Sequence, residues 1–407
     1  MKKTILKKYA ELIVQIGANV QRGQDVIINA ETDQSLLVEY IVSECYKRKA
    51  NIVTIKWQCN NVDKITSRKA SIGALSKVPN WVIEREKYYV ETLPALIYIE
   101  SADPDGMKGI NQEKIAKVGM KVYPILKPFH DQRDNKQQWT IVGAASPEWA
   151  KKVFPELRKK EATEKLWESI LFTSRALNNP IKEWQEHNDF IKNQCQKLNK
   201  LALVSLHYSS KNGTDLTVGL LSNADFIGGV ETTLSGISFN PNIPTEECFT
   251  SPKKGAAEGI VYSTKPLSYR GELIENFWIK FKEGKAVEVH AEKNENLLKQ
   301  IISMDPDASY LGECALVPHN SPISESGILF WNTLYDENAS CHLALGMGFT
   351  NTIRNYSKYS LEELKKMGIN DSMVHVDFMI GSKDLSIIGH TSDGRDVQIF
   401  KNGNWSI

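Results

Sequence analysis

Two histidines and a group of carboxylates fall in four short segments of the second half of this 407-residue chain. In Val374-His-Val-Asp-Phe-Met-Ile380 polar and apolar residues alternate. As a strand, the segment presents His375 and Asp377 on one face and Val374, Val376 and Phe378 on the other. A His and an Asp alone on an apolar strand suit metal ligation, or a His–Asp hydrogen bond at a solvated sheet face. In Tyr310-Leu-Gly-Glu-Cys-Ala-Leu-Val-Pro318, Glu313 stands among apolar neighbours. A lone buried carboxylate is costly, so it either faces water on an edge strand or has a partner. Glu246 and Glu247 lie between Pro241, Pro244 and Pro252, which stiffen the segment and oppose a regular ladder or helix. The plain alternative is a solvated acidic turn. His342 separates a polar run from an apolar one, and taken alone it reads equally as an ordinary hydrogen-bonded histidine.

Together these segments offer two imidazoles and at least three carboxylates, a set suited to Zn, Co, Mn or Fe. Three carboxylates can neutralise two divalent ions if one of them bridges, which is the arrangement of metal-assisted hydrolysis. Cys248, Cys314 and Cys341 each neighbour a proposed ligand. Cys314 directly follows Glu313, so in a strand it points the other way, and all three read as small packing residues. Ser340 lacks the surrounding motif of a nucleophile elbow. His319 reads as a loop residue.

The elements that must carry these groups differ between the two halves. Residues 1–130 alternate helix and strand: an opening amphipathic helix, strands at 25–30, 51–56, 95–100 and 121–126, and helices at 34–49 and 112–118. That order implies βαβ units and a largely parallel sheet. Residues 147–200 are helix-rich, with a helix from Pro180 to about Lys200 and a domain boundary placed near 185–200. From 201 onward, strands at 201–207, 214–221, 259–264, 273–282 and 285–291 are joined by turns, and Asp393-Gly394 and Asn402-Gly403 are hairpin signals. The expectation is an α/β N-terminal domain over 1–190 and an α+β C-terminal metal-binding domain over 191–407.

The strings NIPTEECFTSP, LGECALVP, NTLYDENASCHLALG and HVDFMIG closely resemble the aminopeptidase T / aminopeptidase S family of metallopeptidases. The opening LKKYAELIVQIGANVQRGQDVII resembles the start of that family too, so the likeness spans the chain. It implies two divalent metals, Zn or Co first and Mn or Mg as alternatives, held by Glu247, Glu313, His342, His375 and Asp377 with Glu313 bridging. It leaves Glu246 as the general base, with the order of the two adjacent glutamates open, and it names Glu246 and Glu313 as the catalytic pair. The implied reaction removes N-terminal residues from peptides by attack of a metal-bridging water. The implied assembly is a head-to-tail homodimer. One position departs: the family tyrosine seven residues after His342 is Phe349 here, with Tyr356 or His319 as conceivable substitutes.

Relatives of that family include mononuclear non-haem iron dioxygenases of dihydroxypyridines, which need only two His and one Asp. That is one rival, and an inactive binding protein on the same fold is another. Glu247 and Glu313 argue against both. Lys plus Arg is 50 and Asp plus Glu is 49, which gives no global field for nucleic acid or a lipid surface. Lys7, Lys8 and Glu11 interrupt any apolar leader, no run is long enough to span a membrane, and the six cysteines form no C-x-x-C pair. The expected setting is the cytoplasm.

Overall fold

The alternation of short apolar runs with helical stretches in the first half produces four parallel strands, to which a later segment adds a fifth. The computed structural model describes residues 2–407. The first of two compact units runs to His187 and includes Val230–Pro244. Its sheet has the order Val53–Gln58, Val26–Glu31, Ala95–Glu100, Trp139–Gly143 and Asn242–Ile243, all parallel. Val26, Ile28, Ala95, Ile97 and Val142 are buried, as a parallel sheet covered by its crossover helices requires. The opening helix Lys3–Leu12 buries Leu6, Tyr9 and Leu12.

Two expectations change here. Residues 121–126 are not a strand but the middle of the helix Gln112–Arg133, which contains Pro124 and Pro128. Val118, Val122, Ile125 and Phe129 recur at helical spacing, and a short apolar run cannot by itself separate the two periods. The next strand of the sheet is Trp139–Gly143. The chain changes unit between His187 and Asn188, inside the helix Pro180–Lys200. Finally, 230–244 fold with the first unit, and despite its prolines this stretch adds a two-residue strand beside Trp139–Gly143.

The second unit, Asn188–Gly229 with Thr245–Ile407, is built from two sheets. The larger has nine strands, and its run of antiparallel neighbours includes Leu203–Ser209, Asp215–Leu220, Pro252–Tyr262 and Glu272–Lys282. At its end Asn402 and Gly403 both take positive φ in the turn before Asn404–Trp405. The smaller sheet has four antiparallel strands in the order Cys248–Thr250, Leu311–Leu316, His342–Gly346 and His375–Met379.

Alternation divides the smaller sheet into two faces. Cys248, Cys314, Leu316, Leu343, Leu345, Val376 and Phe378 enter a common core with Leu206, Tyr208, Val218, Phe277 and Ile279 of the larger sheet. The Phe277 and Phe378 rings, 5.9 Å apart, mark that contact. The opposite face therefore receives Glu313, Ala315, His342, Ala344, His375 and Asp377. One irregularity is needed to achieve this. Leu311 packs in the core alongside Cys314 and Leu316, which two-residue periodicity alone forbids. The ladder slips between Leu311 and Glu313, and this bulge at Gly312 restores both contacts.

A Cβ at Gly312 would lie 2.1 Å from the Met347 carbonyl oxygen and 2.4 Å from that of Gly346, both rigid backbone. Gly312→Ala must therefore shift the strand that aims Glu313. The expected outcome is a loss of about 1–3 kcal/mol, typical of an overpacked site, together with weaker metal retention. Thermal denaturation and metal analysis check this, and wild-type values for both would contradict the bulge argument.

Candidate metal centre

The register of the small sheet sets the positions. Glu313 and Asp377 lie on either side of Ala344 at one level, and Ala315 pairs with His342 at the next. Small residues at 315 and 344 stand between the longer side chains on this face. Two ligand groups result, each with its donor atoms within 4.8 Å of one another: Glu247, Glu313 and His342, and Glu313, His375 and Asp377. Glu313 belongs to both. All five residues named from sequence as metal ligands are thus brought together, and the carboxylate common to the two groups is the one expected to bridge.

Each imidazole is oriented from behind. His342 Nδ1 lies 3.0 Å from the carbonyls of Glu337 and Ser340, so its Nε2 faces Glu247 Oε2 at 3.2 Å. His375 Nδ1 lies 2.8 Å from the Met347 carbonyl, so its Nε2 faces Glu313 Oε2 at 3.1 Å and Asp377 Oδ1 at 3.3 Å. A carbonyl that takes the Nδ1 proton directs Nε2 toward the ligand side, which is how metal-binding histidines are held.

Burial by itself would lower both imidazoles. The Glu247 carboxylate beside His342, and Asp377 and Glu313 beside His375, outweigh it and hold both rings well above their ordinary value. Burial raises Glu313. Burial would raise Asp377 too, but the neighbouring His375 wins and lowers it. The donor set fits divalent cations on two counts. It joins hard carboxylate and imidazole ligands, and Asp377 Oδ1 is buried with only the 3.3 Å approach of His375 Nε2 to it among the described residues.

A further carboxylate went unnoticed in the sequence. Glu337 closes the short helix Thr333–Glu337. Burial and then the charges of Asp377 and Glu247 push it well above the carboxylate range, and His342 and Glu313 also act on it. The helix is pinned by Asp336, which accepts from the Phe330 and Asn332 amides at 2.8 and 3.1 Å and is raised to about 6 by burial. Asn338 next to it accepts from the Glu246 amide at 2.8 Å, tying the Glu246-Glu247 segment to the same helix. Glu337 lies five residues before His342 in a polar run, and its sequence neighbours carry no periodicity that would single it out.

The two adjacent glutamates separate: among the described residues the ligand groups contain Glu247 and not Glu246. The Phe349 ring lies 4.9 Å from the His375 ring and 5.2 Å from Phe249, so the position of the family tyrosine does border the centre. Tyr356 instead packs against the Leu221, Ile353, Leu364 and Ile369 cluster. His319 lies 3.4 Å from Ser324 Oγ and belongs to neither ligand group. Cys248, Cys314 and Cys341 are buried and face the carbonyls of Ile191, Thr250 and Val317. Ser340 bonds to the carbonyls of Cys341 and Gly381.

The family described as thermophilic metalloprotease (M29) matches residues 2–405. The chain is 43% identical to aminopeptidase AmpS of Bacillus subtilis over 403 residues, 98% of each chain. It is similar to the solved structure of wild-type AmpT from Thermus thermophilus, with a TM-score of 0.90 and 34% identity over 100% of both chains. The 2,5-dihydroxypyridine dioxygenase from Pseudomonas putida KT2440 reaches a TM-score of 0.50 at 13% identity, covering 100% of this chain and 98% of its own, and shares the fold alone.

With both imidazoles held above their ordinary value, the metal-free centre carries protons at neutral pH that a cation must displace. Metal uptake near pH 7 should therefore release protons, and apparent affinity should tighten as pH rises. Calorimetric titration in two buffers of different ionisation heat measures the release. Equal heats in both buffers and a pH-independent affinity would contradict it.

Proposed function

We propose a mechanism for a chain that belongs to the thermophilic metalloprotease (M29) family and is a metal-dependent aminopeptidase: two divalent ions, Zn or Co, share Glu313 and serve removal of the first residue of a peptide. The observation that supports this most directly is the pair of ligand groups meeting at Glu313. Glu247 and His342 would hold one ion, and His375 and Asp377 the other. When bound, such a pair supplies Lewis acidity at the scissile carbonyl and lowers the pKa of water.

The chain's own groups do the rest. Glu246 takes the proton of the attacking water and returns it to the leaving amine. The hydrogen bond that its backbone N–H donates to Asn338 Oδ1 keeps it beside the ligand segment. Glu337 adds a protonatable carboxyl among the same side chains. The carbonyls of Glu337, Ser340 and Met347 keep the imidazole Nδ1 atoms protonated. The dioxygenase reading needs only His342, His375 and Asp377, and leaves Glu247 beside His342 without a purpose. Solvent-exposed Trp57, Val62, Ile65, Trp81 and Met120 in the first unit are consistent with a homodimer, and the six free cysteines with a cytoplasmic setting. Among the described residues no helix is long and apolar enough to cross a membrane.

Two substitutions separate the roles. Glu313→Gln should abolish activity and lower occupancy at both metal positions. Glu246→Gln should keep two metals and reduce kcat by roughly 10²–10⁴. Elemental analysis beside an assay on aminoacyl amides reads both. A single iron per chain would sink the peptidase reading, and a Glu246→Gln enzyme of full activity with an inactive, metal-replete Glu337→Gln would transfer the base to Glu337.

Phe349 bears on rate. Attack on an amide builds negative charge on the carbonyl oxygen, and a phenylalanine ring offers it no donor. Phe349→Tyr should raise kcat with KM unchanged, bounded by the roughly 10²–10³ that an oxyanion donor supplies elsewhere. Unchanged turnover with intact metals would mean that another group already fills that role.

A further inference from the structure

The second unit holds a cavity of about 180 Å³ that peptide hydrolysis leaves unused. It opens where the helix Pro180–Lys200 ends beside the strands Leu203–Ser209 and Asp215–Leu220. Leu198, Leu203, Leu220 and Phe226 make its floor and are at most 8% exposed. Thr250 also lines it. Strand alternation puts the Thr250 side chain with Cys248 on the core face of the small sheet, away from the metal ligands. None of the lining residues belongs to the metal centre.

Two donors in this wall lack acceptors. Thr250 is 2% exposed, and its Oγ1 has no hydrogen-bond partner among the described residues. A buried hydroxyl left unpaired destabilises the free chain, so it calls for a partner that the chain does not itself supply. Arg354 is the one charged residue in the lining. Its Nε donates to Asp225 Oδ1 at 2.8 Å, and its Nη2 to the Ala224 carbonyl at 3.5 Å. Nη1 has no partner among the described residues, so Asp225 covers one edge of the guanidinium and leaves its outer end free. Asn199, by contrast, is already engaged: it accepts from the Phe226 amide at 2.7 Å and donates to the Phe226 carbonyl at 3.0 Å.

We propose that this cavity binds a short aliphatic monocarboxylate, its carboxylate on the free end of the Arg354 guanidinium and its body over Leu203, Leu220 and Phe226. A carboxylate matches the paired N–H groups of a guanidinium with its two oxygens. It also has lone pairs enough to accept from the Thr250 hydroxyl. The apolar floor favours a body of methyl and methylene groups over a small, strongly hydrated anion. The volume, below the roughly 300–1,000 Å³ of sites for larger ligands, keeps that body short.

The site is tested on the full-length, metal-loaded protein by calorimetry with isovalerate as the probe, and with acetate and isoamyl alcohol as comparisons. Isovalerate should bind saturably. Acetate lacks the branched body and isoamyl alcohol lacks the charge, so both should bind more weakly. Arg354→Met, which keeps an unbranched stem and removes the guanidinium, should weaken isovalerate by about tenfold or more, as loss of a charge-assisted contact does. Thr250→Val, which keeps the shape and removes the hydroxyl, should weaken it by about threefold or more. The free Thr250→Val protein should melt no lower than wild type, because the lost hydroxyl had no partner to give up. Both variants should keep wild-type metal content, which reports that they are folded. Isovalerate binding that survives either substitution within twofold, as binding at the metal centre would, overturns the proposal. So does an absence of saturable binding, a lowered melting temperature in Thr250→Val, or acetate binding as tightly as isovalerate.

Discussion

Four carboxylates gathered with two imidazoles in one largely buried place form the constraint on which the second unit is built. Glu247, Glu313, Asp377 and Glu337 repel one another, and burial strengthens that repulsion by removing water. In the metal-free chain, protons carry the compensation: Glu313 and Glu337 are raised and both histidines are held charged. Such an arrangement is poor as a device for stability, since a well-packed apolar set of the same volume would usually do as well or better. It becomes economical only where cations take over the role of the protons. The buried Asp377 Oδ1, met among the described residues by His375 Nε2 at 3.3 Å, belongs to the same argument.

The sheet beneath answers this constraint in three ways. Its core face is continuous with the apolar interior of the larger sheet, so the strands cannot slip without exposing Leu343, Leu345, Val376 and Phe378. Its other face alternates the long side chains of Glu313, His342 and Asp377 with the small Ala315 and Ala344. The bulge at Gly312 lets Leu311 stay in the core while Glu313 turns outward. The backbone carbonyls of Met347, Glu337 and Ser340 lie at the strand ends and turns beside the two imidazoles and take their Nδ1 protons.

What could be read from sequence follows from how local each signal is. His375 and Asp377 share a face by two-residue periodicity alone, and the apolar partners Val374, Val376 and Phe378 fall where that rule puts them. Glu313 was recognisable because an unpartnered charge in an apolar strand is expensive. Glu337 was not, because its place comes from a five-residue helix fixed by Asp336 and Asn338, contacts that have no imprint on residue spacing. Residues 121–126 misled because a six-residue apolar run fits both periods, and only the longer stripe through Phe129 shows the helix. The return of 230–244 to the parallel sheet rests on two residues of ladder, too few to leave a pattern.

The same locality explains how adjacent glutamates acquire different surroundings. Glu247 enters the small sheet one residue before Cys248, whose side chain belongs to the core. Strand alternation then sends Glu247 to the face it shares with Phe249, toward His342. Glu246 stands one position earlier, where the prolines keep the chain irregular, and its amide is fixed by Asn338 rather than by a ladder. A carboxylate directly before a strand whose next side chain lies in the core has its direction set by that core.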